Sequence, residues 1–147
     1  MHLTSIKNLV VAIFLILVFG CKKHKPVDCS ETMNGIAGRY KITKIESVSY
    51  STGSAQDRTT ILTACQRTAT YIFRTDGTAT YTETGSCSGS GNGTWNFSNG
   101  NFNASFNSGH PILAYPTVLV SWDCTNLALI TTFPTVDSNY RFTLTRF

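Results

Sequence analysis

Apolar and polar residues alternate along most of the chain after its N-terminal segment. In TYIFRTDGTATYT, Tyr71 and Phe73 fall on one face of a predicted strand, and Ile72 falls on the other. Asp76 and Gly77 then supply the positive φ angles that a tight hairpin turn needs. The pattern therefore predicts a β-hairpin here.

Other segments show the same period of two. Asn99 and Gly100, between GTWNF and NFNASF, predict a second hairpin turn. The first strand begins near residue 38, and its apolar positions change phase between Ile42 and Ile45, which indicates a bulge or bend. The runs TVLVSW, LALITTF and YRFTLTRF predict three later strands.

About eight short strands are predicted, with no amphipathic helix. Residues 51–64 form the longest connection, with a short helical turn near Thr60 to Cys65. Sequential antiparallel hairpins favour an all-β fold, an up-and-down barrel, because closing the sheet removes its exposed edges. The chain of 147 residues leaves room for one such domain behind an N-terminal leader.

The first 20 residues have the pattern of a secretory signal peptide. Lys7 precedes an uncharged apolar run over residues 9–20, which is shorter than the roughly 20 residues of a membrane-spanning helix. The sequence VFG before Cys21 resembles the lipobox of bacterial lipoproteins, although Phe19 stands where that motif has a small residue. The resemblance implies cleavage before Cys21 and a diacylglyceryl thioether there, with palmitate among the acyl chains. Two or three chains would anchor the protein stably in a lipid bilayer.

A polar segment connects Cys21 to the predicted domain. Residues 22–35 contain Pro26 and show no periodicity, so they indicate a flexible tether. Export signals of surface-displayed lipoproteins of this kind are acidic after the cysteine, whereas KKHK is basic. We therefore expect a lipid-anchored protein of the cell envelope, on the outer membrane and facing the periplasm. The chain divides into a signal peptide, a lipidated cysteine with its tether, and one barrel domain (1–20, 21–35 and 36–147).

Charge argues against a nucleic-acid partner. The formal net charge is +4, and charged residues make up only 14% of the chain. The arginines of the predicted barrel are scattered singly, whereas a nucleic-acid surface needs clustered Lys and Arg. We expect no binding to nucleic acid.

The sequence offers no residue set for catalysis or for a metal. His110, beside Pro111, is the single histidine of the predicted barrel, and a solvated loop histidine is its ordinary role. GSGNG at residues 89–93 lacks the lysine and the following helix of a phosphate loop. Neither a CxxC motif nor a histidine pair is present. We expect a protein that is not an enzyme and binds neither cofactor nor metal.

The cysteine count indicates two disulfides. With Cys21 assigned to lipid, four cysteines remain: Cys29, Cys65, Cys87 and Cys124. An even number in an exported chain favours a disulfide framework. Four cysteines allow three pairings, and these residues alone do not choose among them.

Taken in order, the motifs resemble the lipocalin-like domain of small lipoproteins of Gram-negative bacteria. In IAGRYKI, Gly38 and Tyr40 stand where the family has a Gly-x-Trp or Gly-x-Tyr opening. TYIFRTDGTATY corresponds to a phenylalanine before a DGT hairpin, GTWNF to a Gly-Thr-Trp strand and YRFTLTRF to the closing strand. The resemblance covers about residues 36–147, although HPILAYPTVLVSWDC is longer and more apolar than the family's strand-turn-strand.

This resemblance implies a fold and a disulfide pairing. The fold is a lipocalin-like barrel of about eight strands. Cys65 and Cys87 match the family's recurrent cysteine pair, which leaves Cys29 for Cys124. No catalytic residue set comes with the family. True lipocalins bind small apolar ligands inside the barrel, but side chains can also fill a barrel of eight strands.

Aromatic residues on most strands are the candidate binding residues. Their ordinary role is to fill the barrel, and the alternative is that they line a cavity. The candidates are Tyr40, Tyr71, Phe73, Tyr81, Trp95 and Trp122. We expect a non-catalytic, lipid-anchored protein with a small apolar ligand. The alternative is a protein-interaction module, an accessory subunit or inhibitor of an envelope complex, with HPILAYPTVL as an exposed apolar loop.

Overall fold

The computed structural model describes residues 28–87, 89–107, 116–131 and 138–147. In chain order, the elements are α1 (Met33–Ile36), β1 (Gly38–Ser49), β2 (Ala55–Asp57), a 3₁₀ turn (Thr59–Ile61), α2 (Ala64–Thr68), β3 (Thr70–Phe73), β4 (Thr78–Thr82), β5 (Ser90–Ser98), β6 (Asn101–Phe106), β7 (Thr117–Trp122), β8 (Asn126–Thr131) and β9 (Ser138–Arg146).

Within these described ranges, nine antiparallel strands form one sheet that closes in a ring. Neighbouring strands pair in sequence order from β3 to β9, and β1 closes the ring by pairing with β9 over residues 40–49. On its other edge, β1 pairs with β3 through residues 38–40 and with β2 through residues 46–48. The predicted all-β, lipocalin-like up-and-down barrel is confirmed.

The connection predicted over residues 51–64 is more ordered than expected. It contains the ninth strand, β2, whose three side chains are all exposed, so no apolar alternation marks it in the sequence. The helical turn predicted near Thr60 to Cys65 is displaced. A 3₁₀ turn ends at Ile61, and α2 begins only at Ala64, because the Thr63 side chain accepts a hydrogen bond from the backbone N–H of Gln66 in a capping box.

Backbone angles confirm the second predicted hairpin and correct the first. Asn99 and Gly100 both have positive φ, 52° and 76°, as a two-residue type I′ turn requires. At the first hairpin, Gly77 has a φ of 82°, but Asp76 does not have a positive φ. The Asp76 carboxylate instead accepts hydrogen bonds from the backbone N–H and the hydroxyl of Thr78. One glycine therefore suffices for this longer turn.

The bulge predicted in the first strand is also present. The register of the β1–β9 pairing shifts between Ile42 and Lys44. The shift returns Ile45, like Ile42, to the buried face, so both isoleucines reach the core.

One hydrophobic core fills the inside of the ring. Burial alternates along the strands with a period of two; in β8, Leu127 and Leu129 are fully buried and their neighbours are half-buried. The core consists of Ile36, Tyr40, Ile42, Ile45, Leu62, Ala69, Tyr71, Phe73, Ala79, Tyr81, Trp95, Phe102, Leu127, Leu129, Phe142 and Leu144.

One end of the barrel is covered, and we call it the capped end. It comprises α1, the turns at residues 74–77, 99–100 and 123–125, and the end of β9, because alternate turns of an antiparallel ring lie on the same side. Gly35 and Ile36 of α1 are buried, and Cys29 is bonded to Cys124. The tether predicted over residues 21–35 is therefore too long, since the chain is fixed to the barrel from Cys29 onward.

Candidate binding site

The barrel brings the six predicted binding residues together in its interior. Five of them are at most 5% exposed and belong to the core: Tyr40, Tyr71, Phe73, Tyr81 and Trp95. The sixth, Trp122, lies at the end of β7 and packs against the core while remaining half-buried.

These rings contact one another inside the barrel near the capped end, where Phe73 ends β3 and the Trp95 indole N–H donates a hydrogen bond to the carbonyl of Arg74. The centre of the Phe73 ring lies 5.3 Å from that of Trp95, 5.1 Å from that of Phe102 and 5.8 Å from that of Tyr40. Trp95 and Phe102 are themselves 5.6 Å apart. These are ordinary packing distances for aromatic pairs. The interior at this level is therefore occupied by side chains.

A second ring cluster lies further from the capped end. The Phe106 ring is 5.2 Å from Tyr81 and 6.3 Å from Tyr71. Glycines face both rings across the sheet, Gly91 opposite Tyr81 and Gly93 opposite Phe106. A Cβ atom on Gly93 would lie 1.8 Å from a backbone oxygen of β6, so the close approach of the two strands requires glycine there.

The buried tyrosine hydroxyls are structural groups. Burial raises the pKa of Tyr40 above its usual value of 10.0. Burial, reinforced by the charge of Glu83, raises the pKa of Tyr71 as well. Both hydroxyls are therefore protonated at physiological pH. The Tyr40 hydroxyl donates a hydrogen bond to the carbonyl of Ile36 and accepts one, of 3.0 Å, from Arg146.

Arg146 organises the capped end and was not among the predicted residues. Its Nη2 atom donates hydrogen bonds to the carbonyls of Gly35, at 2.6 Å, and Ala37, at 2.9 Å. Its guanidinium carbon lies 4.5 Å from the centre of the Trp122 ring. A Cβ atom on Gly38 would lie 2.7 Å from Arg146 Nε, which explains the glycine of the Gly-x-Tyr motif.

The predicted set also omits phenylalanines of the interior, among them Phe102 and Phe106. Phe102 is buried and Phe106 is half-buried, and both contact predicted residues. They alternate with Ala104 in NFNASF, so the period of two could have identified them. No comparable signal marks Arg146, because a charged residue at the end of a strand usually faces water.

Within the described residues, two disulfides each join a short segment to a turn or loop at one end of the barrel. Cys29–Cys124 joins the segment before α1 to the turn between β7 and β8, and Cys65–Cys87 joins α2 to the loop between β4 and β5. These are the two pairs that the family resemblance implies. The joined segments are short, and cross-links of this kind limit their separation from the barrel.

Open grooves lie on the outer surface of the described part of the barrel. One, of about 400 Å³, lies along β5 and β6 and is lined by Thr94, Trp95, Asn96, Asn103, Ala104, Ser105 and Pro116. Another, of about 530 Å³, is lined by Ile72, Arg74, Thr80, Tyr81, Thr82, Ser90, Gly91, Asn92 and Asn107. Apart from Arg74, their polar side chains are uncharged hydroxyls, amides and a phenol.

An apolar strip also lies on the outside of β7. Val118 and Val120 are 45% and 48% exposed, and Val118 stands opposite the half-buried Ile130 of β8. Exposed valines on a paired strand add nothing to the core.

Several predicted features lie outside the described residues. They are the signal peptide, Cys21 and residues 108–115, which include His110 and most of HPILAYPTVL. Within the described ranges, no group of three or more His, Cys, Asp or Glu is placed to hold a metal ion. In the same part of the chain, no helix is long and apolar enough to cross a membrane.

Comparison with protein families gives one match. The model of the lipocalin-like domain matches residues 36–119, which extend from the last residue of α1 into β7 and include five of the six predicted binding residues. Comparisons with curated proteins and with solved structures gave no match.

Proposed function

The chain belongs to the lipocalin-like domain family, and we propose that it is a non-catalytic binding protein of the cell envelope. In this proposal, acylated Cys21 anchors the protein, and its outer surface binds a protein partner. The observation that carries this proposal is the packing of the barrel interior. Phe73, Trp95 and Phe102 contact one another inside the barrel near the capped end, and Tyr71, Tyr81 and Phe106 form a second cluster further along, whereas a carrier of small molecules needs open space there.

The outer surface supports a protein partner. Val118 and Val120 offer an apolar strip, and the grooves along β5, uncharged apart from Arg74, offer hydrogen-bonding groups. Protein interfaces combine such apolar positions with a polar rim.

The described carboxylates support a role without catalysis. Hydrogen bonds from the side chain and backbone of Thr59 lower the pKa of Asp57, and those from the side chain and backbone of Thr78 lower the pKa of Asp76. Hydrogen bonds from the backbone N–H groups of Asn126 and Thr125 contribute to a lowered pKa of Asp123. Glu46 is held in ion pairs with Lys44 and Arg141. A general acid or base works best with a pKa near the working pH, and lowered values move these groups away from it.

A small apolar ligand, the first expectation from the sequence, would have to displace part of the ring cluster. The deciding experiment is a titration of the wild-type protein with fatty acids, sterols and quinones, monitored through Trp95 fluorescence. We expect no saturable change. The Phe73→Ala variant is the positive control, because a vacated apolar cavity can bind a small aromatic molecule such as benzene. Saturable binding to the wild type would refute the filled interior and restore the carrier function.

The protein partner is tested by photo-crosslinking in intact envelopes. A photoreactive residue in place of Val118 or Val120 is expected to give one discrete adduct to an envelope protein. The same residue in place of Tyr50, an exposed position at the opposite end of the barrel from the cap, is the control. Equal adducts at Val118 and Tyr50, or none at either valine, would contradict a partner site on β7.

A further inference from the structure

The covalent path from the anchor to the barrel is short. Only residues 22–28 separate Cys21 from Cys29, and Cys29 is bonded to Cys124 in the turn between β7 and β8. At roughly 3.3–3.6 Å per residue, this segment reaches at most about 29 Å. Because Cys124 lies at the capped end, acylation of Cys21 would hold that end closest to the bilayer.

An exposed aromatic residue flanked by two cations lies at the same end. Phe147 follows β9 and is 59% exposed, and its backbone N–H donates a hydrogen bond of 3.1 Å to the carbonyl of Arg39. The guanidinium carbon of Arg39 lies 5.3 Å from the centre of the Phe147 ring, and the Lys41 Nζ atom lies 5.0 Å from it. Both cations are exposed, and neither forms an ion pair among the described residues.

This combination suits the surface of an anionic bilayer. Aromatic rings at the membrane–water interface enter the headgroup region, and basic side chains near them are attracted to anionic lipid phosphates. The KKHKP sequence that follows Cys21 adds positive charge to the connection between lipid and barrel.

The sum of these basic groups and the carboxylates at the capped end is positive. Asp28, Asp76 and Asp123 each accept hydrogen bonds from backbone N–H groups of their own turns. Exposed Glu31 is the other acidic residue of the segment before α1. The basic groups of the tether together with Arg39 and Lys41 outnumber these four carboxylates.

We propose that Arg39, Lys41 and Phe147 form a membrane-docking surface, on which the capped end rests against anionic lipid headgroups while the opposite end points away from the membrane. This inference rests on the proposed acylation of Cys21 and adds to it an orientation and a lipid preference. In that orientation the outer face of β7 remains accessible to a protein partner.

Two single-tryptophan substitutions at opposite ends of the barrel test the orientation. The acylated full-length mature protein carries either Phe147→Trp or Tyr50→Trp, and Tyr50 is the matched exposed aromatic residue, 51% exposed, in the turn after β1. Each is reconstituted into vesicles of phosphatidylglycerol and phosphatidylcholine containing brominated lipid, and the wild-type protein gives the background from Trp95 and Trp122. We expect at least twofold stronger quenching of the tryptophan at position 147 than of the one at position 50.

A measurement on the wild-type protein does not depend on the substitutions. An amine-reactive label is applied in phosphatidylglycerol vesicles and in pure phosphatidylcholine vesicles, and labelling of Lys41 is compared with that of Lys44, which lies on the same strand beyond the bulge. We expect several-fold protection of Lys41 in the anionic vesicles and unchanged labelling of Lys44. The variant Arg39→Gln/Lys41→Gln should lose the difference in Phe147→Trp quenching between the two kinds of vesicle.

The outcomes separate this inference from the proposed function. The intact mass of the mature protein reports acylation, and an unacylated Cys21 would refute the anchor. Three results obtained with the acylated protein would refute the docking surface while leaving the anchor intact. They are equal quenching at both positions, stronger quenching at position 50, and labelling of Lys41 that does not depend on lipid charge.

Discussion

Arg146 lies over the face of the Trp122 ring, with the guanidinium carbon 4.5 Å from the ring centre. This contact joins the end of β9 to the end of β7, and the same guanidinium binds the carbonyls of Gly35 and Ala37 beside α1. At the capped end, the Arg146 side chain therefore connects three segments that are distant in sequence.

Replacing Arg146 tests this role. Arg146→Ala should lower the free energy of unfolding by about 3 kcal/mol, because it leaves two carbonyls without their donor and removes a cation from the Trp122 face. The free energy of unfolding of Arg146→Lys should lie between those of Arg146→Ala and the wild type, since an ammonium group lacks the planar shape that stacks on a ring. Arg39→Ala, an exposed arginine nearby, is the control and should change stability little. Denaturant unfolding measures all three, and a wild-type midpoint for Arg146→Ala would contradict the assignment.

The two disulfides should contribute unequally to the free energy of unfolding. Cys29–Cys124 closes a sequence separation of 95 and Cys65–Cys87 one of 22, and loop-closure entropy assigns them about 4.7 and about 3.4 kcal/mol. The double variant Cys29→Ser/Cys124→Ser should therefore unfold at lower denaturant concentration than Cys65→Ser/Cys87→Ser. Non-reducing peptide mapping of the wild type checks the pairing first. The reverse order of stability would show that strain or packing outweighs loop length.

Sequence patterns predicted the barrel because the alternation of a strand and the angles of a tight turn depend on residues that are close together in sequence. Alternation at Tyr71 and Phe73 assigns the buried face, and Asn99 with Gly100 has the φ angles of its turn type. The predictions were wrong where pairing between separate segments or a side-chain hydrogen bond determines the secondary structure. β2 pairs with β1 although none of its side chains is buried, and Thr63 sets the start of α2 through its hydrogen bond to Gln66.

The same distinction applies to the candidate site. Periodicity places aromatic residues inside a barrel, but whether their rings leave a cavity depends on how residues from different strands fit together. Gly93 illustrates this, because its lack of a side chain matters only through the backbone of β6 opposite it. Arg146 could not be identified from the pattern, since its partners Gly35 and Trp122 come together only in the closed ring.

Phe73→Ala should be among the most destabilising single substitutions in the core. The ring is 1% exposed and packs on Tyr40, Trp95 and Phe102, so its removal should cost about 3–5 kcal/mol of unfolding free energy through lost burial and a residual cavity. Phe147→Ala removes the same side chain from an exposed position, and we expect a cost below about 0.5 kcal/mol. Thermal unfolding compares the two variants, and similar losses would be inconsistent with a filled interior.

Acid should weaken the outer face of the β1–β9 pairing through Glu46. Its carboxylate is hydrogen-bonded to Arg141 Nε at 2.8 Å and lies 2.7 Å from Lys44 Nζ. The hydrogen bond with Arg141, which has the larger effect, and the contact with Lys44 hold the pKa of Glu46 below its usual value of 4.5. A carboxyl with a lowered pKa in the folded state stabilises the protein above its unfolded pKa, and this contribution is lost as the pH falls through the folded pKa.

Glu46→Gln removes this pH dependence, because the amide keeps the shape of the side chain and has no charge to lose. At about pH 7 the wild type should be more stable than the variant by about 1 kcal/mol, a magnitude that a double-mutant cycle with Arg141→Gln should reproduce as coupling. Below pH 4.5 the difference should shrink progressively and approach zero once Glu46 is protonated in the folded state. Urea unfolding at a series of pH values measures it, with the exposed Glu31→Gln as the control. A difference between wild type and Glu46→Gln that stays constant down to about pH 2 would show that the ion pairs do not stabilise the fold.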